Sequence, residues 1–496
     1  MPDTIDALVR LHAIHDADKS MVIDPNSRIT YAELDVATRE LAAAFVDAGV
    51  GKGTRVGLIM PNCVQWVQIA VALTRIGAVL VPLSTLLQAP ELVAQLRVAS
   101  VQHLVAVQEF RGHRYLDDVA AVRSNLPALR EVWDADNLPR ATIGPAFDAI
   151  TATVTPSDTL AIMFTSGSSG PPKGVIHSHG NALGAVRSGL AARCIDADTR
   201  LYLPMPFFWV GGFGSGVLSA LLAGATLVTE QIPKPESTLR LLEREQVTLF
   251  RGWPDQAQAL ARQTDSVAAN LSSLRPGSLE ALLPADQRAE PGARARLFGM
   301  TESFGPYCGY PADTDMPRSA WGSCGKPFDG IKVRIVDPDD GTPVAPGTVG
   351  EIQLRGPHMM RGICRRSHHD LFTADGFYPT GDLGHLDDDG FMFYHGRSDD
   401  MFKVSGATVY PSEVQDALCT IDGVDGAFVT EVAGAVGAVV ISRLALEDLH
   451  AEARRRLSAF KVPTVWLAVD SDDAIPRKAT GKVDVPKLRD MLHDAR

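Results

Sequence analysis

Apolar positions along the chain recur in two rhythms. From Tyr31 to Ala48 they fall at helical spacing, with Thr30 in front as an N-cap and Glu33 three residues on. That spacing is a capping box, and Gly49 is placed to end the helix. Arg55 to Met60 reads as a short buried strand, Trp66 to Ile76 as a helix, and Ala78 to Leu83 as a second strand broken by Pro82. Strand, helix and strand in this order imply crossover units in a mostly parallel sheet, so the class is α/β. Thr159 to Phe164, Ala225 to Thr229 and Val247 to Phe250 are further strand candidates. From Val333 the style changes. Lys332 to Val336 and Gly350 to Leu354 flank a turn-rich stretch, Asp337 to Gly347, a pattern of antiparallel hairpins. After Gly396-Arg397-Ser398-Asp399-Asp400 a small α/β unit begins. It holds a helix around Ser412 to Cys419, strands near Ala427 and Ala438, and a basic helix around Leu449 to Phe460.

Composition narrows the class. A chain of 496 residues exceeds one simple core and predicts two to four units at roughly 150 residues each. The net charge of −12 opposes a nucleic-acid binder, which needs a basic face. None of the six cysteines stands at metal-ligand spacing, so they read as free thiols in a reducing compartment. The first residues, Met1 to Asp6, carry neither a basic nor an apolar leader. Apolar runs such as Ile69 to Leu73 are far shorter than a membrane span, and the expected location is cytoplasmic.

The chemistry is carried by four clusters. Thr165-Ser166-Gly167-Ser168-Ser169-Gly170-Pro171-Pro172-Lys173-Gly174 follows a predicted strand. Small residues let backbone N–H groups approach phosphate oxygens, hydroxyls add donors and a lysine adds charge. A Walker A loop fails on spacing, because Lys173 lies between Pro172 and Gly174. Phe298-Gly299-Met300-Thr301-Glu302-Ser303 puts a hydroxyl beside a carboxylate able to hold Mg²⁺ through oxygen; a plain helix N-terminus is the alternative. Tyr378-Pro379-Thr380-Gly381-Asp382-Leu383 sets an aspartate on a turn, suited to two ribose hydroxyls or to ordinary turn duty. Ile475 to Lys482 ends in a lysine on a Gly-containing loop, able to reach a reacting carboxylate or to stay solvated.

In order and spacing these motifs resemble the ANL adenylating superfamily of acyl- and aryl-CoA synthetases, peptide-synthetase adenylation domains and luciferases. The resemblance runs from Thr30-Tyr31-Ala32-Glu33-Leu34 to Lys482. It implies a large N-terminal domain (1–398) of mixed β-sheets flanked by helices, with a β-barrel-like subdomain, and a small mobile α+β C-terminal domain (399–496). It implies ATP, Mg²⁺ and coenzyme A as cofactors, and a carboxylic acid joined first to AMP and then to a thiol. Thr165, Ser166, Gly167, Ser168, Ser169, Gly170 and Lys173 match the phosphate loop. Thr301 and Glu302 match the Thr-Glu pair, with Glu302 on Mg²⁺. Phe298 matches the aromatic residue on adenine, Asp382 the ribose aspartate and Arg397 the arginine beside ribose and phosphate. Asp399 matches the hinge and Lys482 the adenylation lysine. Lys403 and Gly406 match the loop lining the thiol tunnel.

Departures from the family pattern are equally legible. The Gly-Ala-Pro-like strand end that normally backs adenine is replaced by a shorter segment, Leu274 to Pro284. Phe207, Phe208, Trp209 and Gly211 stand in the acyl-pocket segment, and Trp209 occupies a position where many relatives carry histidine. The C-terminal unit is trimmed between Val429 and Ala438. His177 and His179 are expected to be structural or near phosphate, and His368 and His369 are given no role. Alternatives are loading of an acyl carrier protein, docked on Arg454 to Arg456, a luciferase-like oxidation, and a catalytically weak nucleotide- or acyl-binding protein. A homodimer is compatible with these features.

Overall fold

The computed structural model describes residues 2–165, 172–398, 401–404, 407–478 and 483–495; at Asp255, Lys403, Ala407 and Thr408 only the backbone is described. The chain divides into two compact units. One comprises residues 1–332 and 354–377, the other residues 333–353 and 378–496. The boundary expected at 398/399 adjoins Asp399 and Asp400, which lie outside the described residues.

Among the described residues the first unit holds three sheets, the smallest made of Phe298–Met300, Gly305–Gly309 and Lys326–Pro327. The largest has seven strands in the order Gly362–Ile363, Lys173–Ser178, Thr159–Thr165, Val79–Pro82, Arg55–Ile59, His103–Ala106 and Glu131–Asp134. Its last five strands are parallel, joined by crossover helices as the strand–helix–strand rhythm predicts. The second sheet runs Leu249–Phe250, Arg200–Tyr202, Thr226–Val228, Ser20–Ile23, Arg28–Thr30. The helix Tyr31–Asp47 starts with the predicted capping box: Thr30 accepts from the Glu33 amide, and Glu33 accepts from the Thr30 amide at 2.9 Å. Gly49 follows the helix with φ +85°, the left-handed turn that glycine adopts without strain. Tyr31 then donates its hydroxyl to the carbonyls of Ala220 and Ala225, tying this helix to a segment far along the chain.

The segment Leu274 to Pro284 forms no strand. A single 3₁₀ turn, Glu280–Leu282, stands there. It seals the edge of the second sheet instead of extending it: Phe250 donates its amide to Ser278 Oγ, and the Leu279 amide donates to the Phe250 carbonyl. Leu274, Leu282 and Leu283 are buried in the same core as Phe250.

The second unit carries the hairpin region and the C-terminal part. Lys332–Val336, Gly350–Arg355, Tyr378–Leu386 and Met392–Arg397 form one four-stranded sheet. Farther on, Val424–Val432 and Ala435–Ser442 form a hairpin, and Val465–Val469 adds a parallel strand. Ala433 and Gly434 connect the hairpin with φ of 49° and 79°. A two-residue turn with both φ positive matches the twist of its strands, which accounts for the trimmed stretch. Helices Pro411–Cys419, Leu446–Arg456 and Val485–Asp494 complete the unit. Among the described residues no helix is long and apolar enough to cross a membrane.

Candidate active site

The phosphate-loop candidate joins two antiparallel strands. Thr159–Thr165 and Lys173–Ser178 pair with Thr165 opposite Lys173. Ser166, Gly167, Ser168, Ser169, Gly170 and Pro171 lie outside the described residues. Thr165 is half-buried and Lys173 is exposed. Gly174 next to it has no room for a side chain, since a Cβ would come within 2.9 Å of Ile162 Cγ2.

Behind this hairpin the strand runs into the helix His179–Ser188. Ser178 caps it: Ser178 Oγ accepts from the Asn181 amide, and Asn181 Oδ1 accepts from the Ser178 amide at 2.6 Å. The Asn181 side chain also donates from Nδ2 to His177 Nδ1 at 2.9 Å. His177 is fully buried, its ring edge-on to Phe304 at 4.7 Å. Burial pushes its pKa down to about 3, so the imidazole is neutral. With Nδ1 accepting, Nε2 carries the proton. The Thr301 backbone lies near the ring and opposes part of that shift, while Nε2 has no hydrogen-bond partner among the described residues. His179 is also buried, and burial pushes it to about 4.

Thr301–Ser303 is one 3₁₀ turn between the strands Phe298–Met300 and Gly305–Gly309. Its tightness has two causes. Ser303 Oγ donates to the Gly305 carbonyl at 2.7 Å, and Phe304 adopts φ +53°, a left-handed conformation rare outside glycine. Gly299 faces Gly305 so closely that a Cβ would sit 2.1 Å from the Gly305 carbonyl oxygen. Glu302 is buried, and its backbone carbonyl accepts from the Met360 amide at 2.8 Å. The strand Thr159–Thr165, which leads toward the phosphate loop, packs against this turn. Phe298 packs edge-on against Tyr307 at 5.6 Å.

Among the described residues no group of three or more His, Cys, Asp or Glu is arranged to hold a metal ion. A lone carboxylate suits Mg²⁺, which keeps several waters and takes further oxygens from substrate phosphates. Glu302, a buried carboxylate on the Thr301–Ser303 turn, is of the chemical type that such a site takes.

The acyl-pocket candidates separate by burial. Asn62 fixes their segment: its Oδ1 accepts from the Phe207 amide and its Nδ2 donates to the Met205 carbonyl. Phe207 is fully buried against Trp66. Phe208 is buried and edge-on to Trp209. Trp209 is partly exposed and meets Trp253 edge-on at 6.1 Å. Gly212 admits no side chain, since a Cβ there would lie 2.0 Å from the Pro206 carbonyl oxygen, while a Cβ on Gly211 would meet only the movable Met205 Sδ, at 2.8 Å. A π-helical turn, Phe213–Leu218, follows, a geometry common beside functional sites. Sequence reasoning missed Trp253, Asn62 and Asn181. Only the Trp253-Pro254 pair, a helix start signal, marked any of them.

In the second unit Asp382 pairs in register with Arg397 across adjacent antiparallel strands. Asp382 is buried, and its amide donates to Thr380 Oγ1. Arg397 donates from Nη1 to the Thr380 carbonyl at 2.9 Å and lies 3.4 Å from Asp382 Oδ1. Gly381 makes room for that guanidinium; a Cβ there would stand 2.9 Å from Arg397 Nη2. Lys403 lies on the strand Phe402–Val404, opposite Thr408. Asp399, Gly406 and Lys482 lie outside the described residues. Near Lys482, a bridge between Arg477 and Val483 brings the flanks of residues 478–482 together.

The family model for AMP-binding enzymes matches residues 10–364. The chain belongs to the AMP-binding enzyme family. This places it in the ANL adenylating superfamily. It is 33% identical over 523 residues to a 3-[(3aS,4S,7aS)-7a-methyl-1,5-dioxo-octahydro-1H-inden-4-yl]propanoyl:CoA ligase of Mycobacterium tuberculosis, an alignment covering 99% of this chain and 98% of the relative. It is 32% identical over 480 residues to a feruloyl-CoA synthase of Amycolatopsis sp, covering 92% of each. An anthranilate CoA ligase, AuaEII, in complex with anthranoyl-AMP superposes with a TM-score of 0.83 at 23% identity, covering 100% of this chain and 98% of that one. ATP-bound MatB from Rhodopseudomonas palustris gives 0.82 at 23% identity, covering 100% and 99%. The two structural likenesses show that this AMP-binding enzyme shares their fold.

Proposed function

We propose that this AMP-forming acid–CoA ligase acts on a carboxylic acid that carries a ring. The carboxylate oxygen attacks the α-phosphorus of ATP and pyrophosphate leaves, forming the acyl-adenylate. The coenzyme A thiol then attacks the acyl carbon, AMP leaves with the bonding electrons, and the thioester forms. A bare carboxylate cannot acylate a thiol because its leaving group would be oxide; AMP supplies a competent one. Two anions meet in the first step, so the site needs cations placed in advance.

The roles follow. Thr165 and Lys173, at the two ends of the phosphate loop, contact the β- and γ-phosphates. Glu302 holds Mg²⁺, which neutralises phosphate charge when bound. Thr301 donates to phosphate, Phe298 packs on adenine, and Asp382 accepts from the ribose hydroxyls beside Arg397. Lys482 stabilises the adenylation transition state, Asp399 serves as the hinge, and Lys403 and Gly406 line the thiol path. The observation that carries this reading is the buried Glu302 on a tight turn, packed beside the strand that feeds the phosphate loop.

A ring-bearing acid is supported by the edge-on pair of Trp209 and Trp253, both partly exposed. Aromatic faces and edges favour a flat or alicyclic partner over a lone methylene chain. The relatives named for indanyl-propanoyl and feruloyl substrates agree with that choice. Coenzyme A is preferred over a carrier protein as acceptor. Arg455 and Arg456 share the single carboxylate of Glu452 on their own helix, so part of the basic patch that an acidic carrier would need is already paired.

The test is pyrophosphate release from Mg-ATP over a panel of fatty, aryl and polycyclic acids, each with and without coenzyme A. Release with ring-bearing acids that becomes multi-turnover with coenzyme A is the expected result. A second reading, a weak nucleotide-binding protein, is favoured by one observation, the missing strand at Leu274 to Pro284. ATP binding without release for any acid would select it.

A further inference from the structure

Phe304 stands in a backbone conformation that its residue type avoids. It has φ +53° and is buried directly after the Thr301–Ser303 turn. Among the described residues it is the only aromatic side chain with positive φ. For a bulky residue the left-handed region is an outlier. Such strain persists only where the surroundings over-determine it, and it gathers at functional sites. A glycine takes this φ without strain, so what the strained position retains is the phenyl ring.

The neighbours show how the ring is held. His177 meets Phe304 edge-on at 4.7 Å, from the strand that follows the phosphate loop. Phe213 meets it edge-on at 6.2 Å, from the π-helical turn that follows the acyl segment. Gly214 gives it room, since a Cβ there would stand 3.2 Å from Phe304 Cε1. Phe213 is itself edge-on to Trp66 at 5.7 Å, and Trp66 lies against Phe207 at 5.2 Å. Phe207, Trp66, Phe213, Phe304 and His177 thus form a row of buried rings in contact. Edge-to-face contacts favour particular ring orientations, and a close-packed interior transmits displacement instead of absorbing it.

The same residue is tied to the groups assigned to Mg-ATP. The Phe304 amide donates to the Thr301 carbonyl at 3.0 Å and closes the turn on which Thr301 and Glu302 stand. Ser303 Oγ donates across Phe304 to the Gly305 carbonyl at 2.7 Å. The dihedrals of Phe304 therefore set how the turn runs into the strand Gly305–Gly309. Relaxation to the right-handed region would rotate φ by about 115° and break this closure.

We infer that Phe304 is a positioning residue for adenylation: its clamped ring keeps the Thr301–Glu302 turn in the conformation that presents both side chains to Mg-ATP. The inference rests on the ligase reading and on the roles given to Thr301 and Glu302, and it adds a residue that acts through them. A residue that merely fills the core supports both half-reactions alike. A residue that positions the Mg-ATP groups supports the first and spares the second.

The experiment uses the full-length enzyme with an acid that it turns over. It follows separately acid-dependent pyrophosphate release from Mg-ATP and thioester formation from synthetic acyl-AMP and coenzyme A. Phe304→Leu keeps an apolar side chain and loses the edge contacts. Its kcat for pyrophosphate release should fall about threefold to tenfold, the worth of one aromatic contact. The Mg²⁺ concentration for half-maximal release should rise severalfold, while KM for the acid and thioester formation stay close to wild type. Phe304→Gly adopts the same φ without strain but has no ring to clamp, and its release should fall further. Phe213→Leu loosens the ring from one side, and combined with Phe304→Leu it should cost less than the product of the two single losses. Circular dichroism and melting temperature give the folded fraction to which each rate is referred. Equal loss in both half-reactions, or unchanged release and Mg²⁺ dependence in Phe304→Leu, overturns the inference, while the ligase reading stands on wild-type turnover. If Phe304→Leu does not fold, Phe213→Leu alone decides, by the same split between half-reactions. Absence of pyrophosphate release by the wild-type enzyme with every acid is the different failure, that of the ligase reading.

Discussion

Asn181 Nδ2 donates to His177 Nδ1 beneath the phosphate-loop hairpin, and this one hydrogen bond fixes the tautomer of an imidazole buried against Phe304. His177 and His179 stay neutral in the folded chain, with pKa values pushed down to about 3 and about 4. In the unfolded chain both take up protons below about pH 6.5. The unfolded state then binds more protons than the folded one, so stability falls as pH drops from about 6.5 toward 3–4. At pH 5 the loss is about 2 kcal/mol for each histidine. Denaturant unfolding at pH 7.5 and pH 5 should show this difference, and His177→Gln combined with His179→Asn should flatten it. An unchanged slope in the double variant would remove these histidines as the cause.

Glu302 gives the second prediction. It is the single carboxylate assigned to Mg²⁺, buried on the turn between the closely approaching Gly299 and Gly305. Glu302→Gln keeps the shape and removes the charge. Pyrophosphate release should fall by about 10²–10³, the usual cost of losing one preorganised electrostatic contact in a transition state. Its Mg²⁺ dependence should shift to higher concentration. A variant with normal release at low Mg²⁺ would give Glu302 a structural role.

The elements legible in the sequence were those with local causes. The helix Tyr31–Asp47 is written in its capping box and its glycine, and the strands around it in short apolar runs. Thr301-Glu302 and Asp382 stood out in the sequence by residue type and order, and the structure places them on a 3₁₀ turn and on a strand beside Arg397. What stayed hidden depends on contacts distant in sequence. Asn62 organises the Phe207 segment from 145 positions away, and no local pattern marks it. Phe207, Phe208 and Trp209 look alike as an aromatic run, and only packing on Trp66 and Trp253 separates the fully buried Phe207 from the partly exposed Trp209. The shortened segment at Leu274 to Pro284 was legible as a departure. How the sheet edge is then sealed, through Ser278 and Leu279, was not.

Lys482 leads to a prediction about half-reactions. The bridge between Arg477 and Val483 anchors the flanks of its loop, so a substitution at the lysine leaves that anchor in place. Lys482→Ala should reduce acid-dependent pyrophosphate release by at least about 10². Thiolation of a supplied acyl-adenylate should stay close to wild type, because the role proposed for Lys482 is confined to the adenylation step. The two half-reactions can be followed separately, by pyrophosphate release and by thioester formation from synthetic acyl-AMP. Equal loss in both would show that the lysine does not distinguish the steps.

Trp209 tests the ring-bearing acid directly. Its indole is partly exposed, edge-on to Trp253 and to Phe208, while the backbone around it is held by Asn62 and by the close approach of Gly212 to the Pro206 carbonyl. Removing the indole therefore opens space in a frame that stays put. Trp209→Ala should lose about 0.5–1.5 kcal/mol of aromatic contact with a ring, close to threefold to tenfold in kcat/KM. For saturated chains of similar bulk the loss should be smaller, and longer or wider acids should gain from the added room. KM should carry most of the change, since the indole contacts the acid equally before and during reaction. Trp209→Phe should recover part of the preference for rings. A uniform loss across all acids, in kcat and without reordering, would return Trp209 to packing alone and leave the choice of acid to residues deeper in the pocket.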